Sequence, residues 1–291
     1  QIEATISVPA IGHATQLTEP VDISDLLDDR VVDRLTEADW AFTSSDTRYL
    51  THDLHPYPAK FPPQIPSQLI SALSLPGDLV FDPFGGSGTT AVEAVRLRRR
   101  AVSLDANPLS ALLGRTKTTC LDPDADEQLR SFQGVVASYL ANSAGKGINW
   151  SEGLLATHAQ YVPVIPNIEK WFCSAAAGEL ALLTHLITTL TIGRAQDVAL
   201  LALSRIVTRV SNQDSETRYV AVPKTIPPGF TLRAYDESLR SVLKKLDGAR
   251  SVMSGASAEF VHGDARVAIR NAVAPSSVDL IVTSPPYPNA T

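Results

Sequence analysis

Apolar and polar positions along the chain fall into three regimes. Residues Gln64 to Leu75 carry apolar side chains at helical spacing, and Pro76-Gly77 ends that run before a short apolar strand, Leu79 to Phe81. A glycine-rich turn follows. Ala91, Val92, Ala94, Val95 and Leu97 then predict a helix from Thr89 to about Arg98, and Ala101 to Leu104 a second strand ending at Asp105. Strand, helix and strand in this order make a β-α-β unit, the start of a parallel α/β sheet. From about Ser110 to Ala256 the pattern turns helical, with helices expected over Asp126 to Leu140, Ala175 to Leu190, Ala195 to Val210 and Asp236 to Leu246. Loops at Val162 to Asn167 and Val222 to Gly229 separate them. Strand character returns at Glu259 to His262, before Gly263-Asp264, and at Val278 to Thr283, before Ser284-Pro-Pro-Tyr287.

The expected organisation is one α/β sheet interrupted by a helical insertion. Residues 51–110 and 257–291 form the sheet domain, 111–256 the insertion, and 1–50 an N-terminal segment. That first segment joins an alternating stretch, Ile2 to Ile11, to an acidic one, Asp22 to Asp39, that suits one or two short helices. His55-Pro-Tyr-Pro-Ala-Lys-Phe-Pro-Pro63 cannot form a regular helix, because each proline restricts itself and its predecessor, so it reads as an extended loop of fixed shape.

Composition narrows the class. The chain has 291 residues, 44% apolar and 19% charged, with a formal net charge of −6. It is long enough to bury a core without staples. Two distant cysteines, Cys120 and Cys173, supply neither a disulfide framework nor paired metal ligands, so a reducing cytoplasm is the expected setting. No apolar run approaches the roughly 18–20 residues that span a bilayer. His52 and His55 stand close but lack further ligands nearby, so no metal is expected. Net acidity argues against uniform coating of nucleic acid and leaves room for a local basic groove. The chain opens at Gln1, has Met253 as its only methionine and stops at Thr291, which reads as a record cut at both ends, with a partner chain or a further C-terminal part completing the fold.

A strand, a glycine turn and a helix N-terminus bring backbone N–H groups close to a ligand and favour its anionic part. Gly86-Ser-Gly88-Thr-Thr-Ala91 fits the dinucleotide pattern G-x-G-x-x-A, with Asp105 placed for a ribose diol; no Lys-Ser or Lys-Thr follows, which excludes a P-loop. A tight turn in any α/β protein is the plain alternative, and an NAD-linked oxidoreductase rests on this turn alone. Asp82-Pro-Phe-Gly-Gly-Ser-Gly-Thr-Thr90 as a whole, however, resembles the first motif of the S-adenosylmethionine-dependent amino-methyltransferases of DNA. That resemblance implies a Rossmann-like methyltransferase sheet and S-adenosylmethionine as cofactor. Asp82, Phe84 and the turn Gly85, Gly86, Ser87 and Gly88 would lie against the methionyl part, Thr89 would bind its carboxylate, and Asp105 would hold the ribose hydroxyls. Phe260-Val-His-Gly-Asp264 is similar to the family's third motif and makes Asp264 the adenine contact. Thr51 to Phe61 resembles the stretch that closes the cofactor pocket, which assigns Tyr57 and Lys60 to the cofactor as well.

Val278 to Tyr287 ends in Ser-Pro-Pro-Tyr, similar to the family's fourth motif in the form typical of enzymes that methylate N4 of cytosine. An exocyclic amine has its lone pair delocalised into the ring, so its site must accept the amine hydrogens and orient the nitrogen. Ser284 and the Pro285 carbonyl are the acceptors, Pro286 fixes the loop, and Tyr287 offers a face to a flipped-out base. Methylation of a ring carbon would require a nucleophilic cysteine, usually after proline, whereas Cys120 follows Thr119 and Cys173 follows Phe172. In the insertion, Arg205, Arg209, Asn212, Gln213 and Arg218 offer base-reading side chains around an expected loop, Ser211 to Arg218, although a helical insertion can equally brace the sheet. Arg96, Arg98, Arg99 and Arg100 suit a solvated helix end, with phosphate contact second. The expected protein is thus a bacterial, cytoplasmic, nucleoid-associated methyltransferase of double-stranded DNA, acting on N4 of cytosine in restriction-modification or phage defence. Alternatives are an N6-adenine or RNA-base enzyme and a catalytically silent DNA-binding subunit.

Overall fold

The computed structural model describes residues 28–284, apart from 39, 44, 216–217 and 256. Pro285, Pro286 and Tyr287, and the alternating stretch at the N-terminus, lie outside the described residues. Within the acidic segment α1 spans Asp29–Glu37; the helix expected from Gln64 is α2, Gln64–Leu73. Strand β1 (Leu79–Asp82), helix α3 (Thr89–Arg96) and strand β2 (Arg100–Asp105) build the predicted β-α-β unit. Next comes α4 (Pro108–Lys117), which the sequence pattern did not suggest although its start carries two strong signals. Asn107 caps the helix through its side chain on the Leu109 N–H, and Pro108 occupies the first turn.

The helical region holds α5 (Pro123–Ser143), α6 (Ile148–Thr157), α7 (Ile168–Trp171), α8 (Ser174–Leu190), α9 (Gly193–Ser204), α10 (Val207–Val210) and α11 (Phe230–Met253). Three expectations change here. The helix expected over Ala195 to Val210 breaks at Arg205-Ile206; α11 is about twice its expected span; and the polar stretch after α10 forms an antiparallel hairpin, β3 (Gln213–Ser215) and β4 (Arg218–Ala221), where a loop was expected. Hairpin residues this polar carry little strand signal, because their pairing is set by backbone hydrogen bonds rather than by an apolar face. The chain returns to the sheet with β5 (Ala258–His262), adds α12 (Ala265–Ala272) and reaches β6 (Leu280–Ile281).

The four sheet strands run in the order β5-β2-β1-β6, all parallel. The chain moves outward from β1 through β2 to β5 and then returns to the other flank of β1. The β1/β6 boundary is therefore the topological switch point, where open α/β sheets bind ligands at the strand carboxyl ends. Val80 is buried on one face with Ile70, Ala91 and Ala94, while Phe81 is buried with Leu104 and Ala272 in a second cluster. The largest core belongs to the helical region: Phe132, Leu182, Ile187, Val198, Leu232 and Tyr235 are fully buried in it, together with Leu54 and with Leu113 of α4. Val92 and Val95 of α3 pack with Ala249 and Met253 of α11, so these helices rest directly on the sheet domain.

In the arginine run Arg98 and Arg100 are exposed, as a solvated helix end implies, while three of the four side chains also hold neighbouring segments. Arg96 bonds Ser67 Oγ and Glu93, Arg99 bonds the carbonyl and hydroxyl of Ser74, and Arg100 bonds the Gly77 carbonyl. The Arg99 contact places a cation at the C-terminal end of α2.

Helix α4 approaches the glycine turn to backbone distance. A methyl group on Gly88 would stand 2.9 Å from Gly114 Cα, and one on Gly114 would stand 2.0 Å from the Phe260 ring. Alanine would add about 1 kcal/mol of helix propensity at Gly114, yet overpacking costs about 1–3 kcal/mol, so the clash decides the sign. Gly114→Ala is expected to lower the melting temperature by several degrees, and Phe260→Leu in the same chain to recover part of the loss. Differential scanning calorimetry of the two single variants and the double variant measures both effects.

Candidate active site

The site lies at the carboxyl ends of β1, β2, β5 and β6. Asp82 closes β1 and is buried at 3% exposure. Its Oδ1 accepts the Phe84 N–H at 3.0 Å and the Thr283 hydroxyl at 2.7 Å, so one carboxylate fixes the turn and joins β1 to the segment after β6. Burial pushes this carboxyl up, and the hydrogen bonds from Thr283 and Phe84 oppose the shift. Ser284, half-buried, follows Thr283 directly, which brings the start of Ser-Pro-Pro-Tyr beside the glycine turn.

Gly86 and Gly88 have φ of 49° and 77°. Side chains rarely adopt this region, and Gly88 is also the N-cap of α3. Gly85 is required for a different reason: a Cβ there would meet Ser103 Cβ at 2.9 Å. Ser87 Oγ and Thr89 Oγ1 pair at 3.2 Å, and both residues are buried; Phe84 is exposed. Asp105 holds the turn from the neighbouring strand, accepting the Gly86 N–H on Oδ2 and the Asn107 N–H on Oδ1, each at 2.8 Å. Each carboxylate oxygen keeps a further lone pair, so the Asp105 side chain retains acceptor capacity for a diol. Gly85, Gly86, Gly88, Ser103, Asp105, Ser110 and Phe260 are among the residues lining a narrow, solvent-open cleft. Ser103 Oγ is buried in that lining without a hydrogen-bond partner among the described residues.

The 51–61 segment arches over this turn. The Tyr57 ring would stand 3.7 Å from a Cβ on Gly86, and its hydroxyl meets Ser110 Oγ at 3.1 Å. Lys60 faces inward, its ammonium donating to the carbonyls of His52 and His55. Gly263 N–H donates to the Asp105 carbonyl at 2.9 Å and so brings Asp264 to the same edge. Asp264 caps α12 and is bound by the Arg266 guanidinium, whose hydrogen bonds hold its carboxyl down at about 2.

The candidate DNA-reading residues are arranged differently. Asn212 is buried, its amide donating to the Lys170 carbonyl and accepting the Lys224 N–H, so it braces the hairpin from inside. Arg209 pairs with Glu237 at 3.0 Å and lies over the Phe230 ring, while Gln213 bonds the Ser215 carbonyl. Arg205 bonds the Leu54 carbonyl. The Arg218 side chain lies outside the described part. Among the described residues no cluster could hold a metal ion, and no helix is long and apolar enough to cross a membrane.

Glu93 escaped the sequence reading because it sits on an otherwise apolar helix. It is fully buried in α3 and accepts from Tyr49 Oη at 2.7 Å, His52 Nε2 at 2.8 Å and Arg96 Nε at 2.7 Å. Burial alone would push its carboxyl up, but the bonds from His52, Arg96 and Tyr49 outweigh that and hold it below the usual range. His52, pushed down by burial, is neutral and donates its Nε2 proton.

Four parallel strands with a switch point, two carboxylates at adjacent strand ends and a positive-φ glycine turn define a ligand-binding α/β domain of the doubly wound class. Residues 22–110 match a family model described as DNA methylase. The chain is 24% identical over 257 residues to the Type II methyltransferase M.MvaI of Kocuria varians, an alignment covering 84% of this chain and 55% of that protein. It is 35% identical over 66 residues to the Type II methyltransferase M.MjaII of Methanocaldococcus jannaschii, covering 23% of this chain and 12% of that one. A DNA adenine methyltransferase, YhdJ of Escherichia coli, is 37% identical over 60 residues, 21% of this chain and 20% of its own length. No solved structure matches significantly. Residues 22–110 thus carry a likeness to the N4/N6 DNA methylases, enzymes that take the methyl group from S-adenosylmethionine. The chain spans about half the length of M.MvaI.

Glu93→Gln removes the charge from the Tyr49–His52–Arg96 junction, and breaking such a buried pair is expected to cost about 2–3 kcal/mol at neutral pH, Arg96 being partly exposed. Because the folded carboxyl is depressed, its contribution is complete above the usual carboxylate range and fades as pH falls through the folded value. Urea melts at neutral pH and at about pH 3 are expected to show the gap between wild type and variant closing in acid.

Proposed function

We propose that the chain is the cofactor-binding and catalytic part of a DNA methyltransferase acting on an exocyclic amine, N4 of cytosine, in a bacterial restriction-modification or defence system at the nucleoid. The observation that carries this reading is the Thr283–Asp82 contact at 2.7 Å, which sets Ser284 against the glycine turn across the switch point. The donor set suits S-adenosylmethionine: Asp105 for a diol, the α3 N-terminus with Thr89 for a carboxylate, Ser103 as an unpartnered polar group in the cleft, and Tyr57 above the turn. Asp264 at the β5 edge would meet the adenine amino group, with Phe84 and Lys60 flanking the pocket. Bound cofactor would supply an electrophilic methyl group: the N–C bond to the amine would form as the S–C bond breaks to leave a thioether, and the amine would release one proton to solvent. Ser284 Oγ and the Pro285 carbonyl would accept the amine hydrogens, Pro286 would hold the loop, and Tyr287 would stack the flipped base.

A geometric argument favours the hairpin as the DNA-reading element. Arg115, late in α4, pairs with Asp197, early in α9, while His55 of the arch meets Ser204 at the end of α9. The end of α9 therefore lies against the arch over the glycine turn. The hairpin β3-β4 follows that end of α9 after the short helix α10. Residues 111–256 would then both brace the sheet and carry the reader.

The test is incubation of the purified chain with methyl-labelled S-adenosylmethionine and duplex DNA, followed by nucleoside analysis. Label in N4-methylcytosine is expected; label only in N6-methyladenine overturns the choice of base, and absence of cofactor binding overturns the reading as a whole. Loss of a charged acceptor costs about 1.5–3 kcal/mol, so Asp105→Ala is expected to weaken cofactor binding about tenfold or more. Ser284→Ala is expected to lower kcat by a similar factor while leaving cofactor affinity unchanged.

A further inference from the structure

The amine of Lys117 serves none of the roles assigned above, yet it reaches the site. Lys117 ends α4, is fully buried, and its Nζ donates to the Ser87 carbonyl at 2.7 Å from behind the glycine turn. Among the described residues that carbonyl is its acceptor, against three N–H donors on an ammonium.

The charges of the surrounding elements do not neutralise it. From the arch, Lys60 repels it, while Asp53 attracts it but is paired at 2.8 Å with Lys245 of α11. Glu93 of α3 is engaged by Tyr49, His52 and Arg96. Arg205 beyond α9 is a further cation, Arg115 on α4 itself pairs with Asp197, and His52 and His55 are pushed toward neutrality by burial. Burial, with Lys60 second, brings the amine down to about 7.

On the front of the same turn, the first N–H groups of α3 favour an anion. Resting on the reading of this cleft as a cofactor site, we infer that Lys117 is its buried counter-charge, an ammonium that steadies the Ser87 carbonyl and is balanced when a ligand carboxylate sits at the α3 N-terminus. Above neutral pH the step is a proton uptake: carboxylate binding in front of the turn transfers one proton from solvent to the Lys117 amine. Affinity and protonation are reciprocally linked, so a tenfold gain in affinity for the charged form raises the amine by one pKa unit. Lys117 is a positioning residue in this account, acting through the Ser87 peptide.

The experiment is calorimetric titration of the full chain with S-adenosylhomocysteine, in buffers of differing ionisation heat, for wild type and Lys117→Met. Methionine suits the apolar surroundings and leaves the fold intact. Wild type is expected to bind about tenfold more tightly than the variant at about pH 6, with the advantage shrinking toward about pH 9, and to take up more protons than the variant between these values. Comparing the two proteins cancels titration of the ligand's own amino group. Methylthioadenosine, which lacks the carboxylate, is expected to abolish the difference. Equal proton uptake and parallel pH profiles in the two proteins overturn the inference while leaving the cofactor reading intact; a wild type that binds no S-adenosylhomocysteine overturns that reading itself. A measurement without a variant is the lysine ¹³Cε titration of labelled wild type. One lysine is expected to titrate near neutrality and to move up on ligand binding, and a midpoint unmoved by ligand overturns the inference.

Discussion

The backbone contact between the glycine turn and α4 is the constraint on which the rest of the site depends. A Cβ on Gly88 would press on Gly114, and one on Gly114 would strike the Phe260 ring of β5, so neither glycine tolerates a side chain in place. That contact makes α4 the back wall of the turn. It orients Ser110 toward Tyr57 and carries Lys117 to the Ser87 carbonyl. The positive φ values of Gly86 and Gly88 have the same origin, since the chain must leave β1, turn within a few residues and start α3 without retreating from α4.

A second constraint acts through charge. Glu93 is buried on α3, and its three donors come from the arch and from its own helix, so the segment over the site is anchored to the helix that begins at the site. Asp82 plays the equivalent part across the switch point by joining β1 to Thr283. Both carboxylates fix loops through hydrogen bonds, which tolerate little displacement, and this suits a site that must hold a small ligand in one orientation.

The part of the fold legible in the sequence was the part with local signals. The β-α-β unit, its glycine turn and the strand ends at Asp105 and Asp264 follow from period, turn chemistry and motif order. Helix α4 has little amphipathic spacing to mark it, although Asn107-Pro108 announces its start. The hairpin and the break at Arg205 have no local signal: Asn212 is held by carbonyls and N–H groups of distant loops, and Arg205 by the Leu54 carbonyl. Glu93 and Lys117 were hidden for a related reason. A charged residue reads as solvated until tertiary contacts bury it.

All of this converges on one claim, that the cleft between the glycine turn, Asp105 and Phe260 receives the adenosyl part of the methyl donor. A crystal structure of the chain with S-adenosylhomocysteine tests it directly. The account predicts ribose hydroxyls on the Asp105 carboxylate, the ligand carboxylate at the N-terminus of α3 and the thioether sulfur facing Ser284. Ligand density elsewhere on the chain, with Asp105 still bonded only to the Gly86 and Asn107 N–H groups, would contradict it.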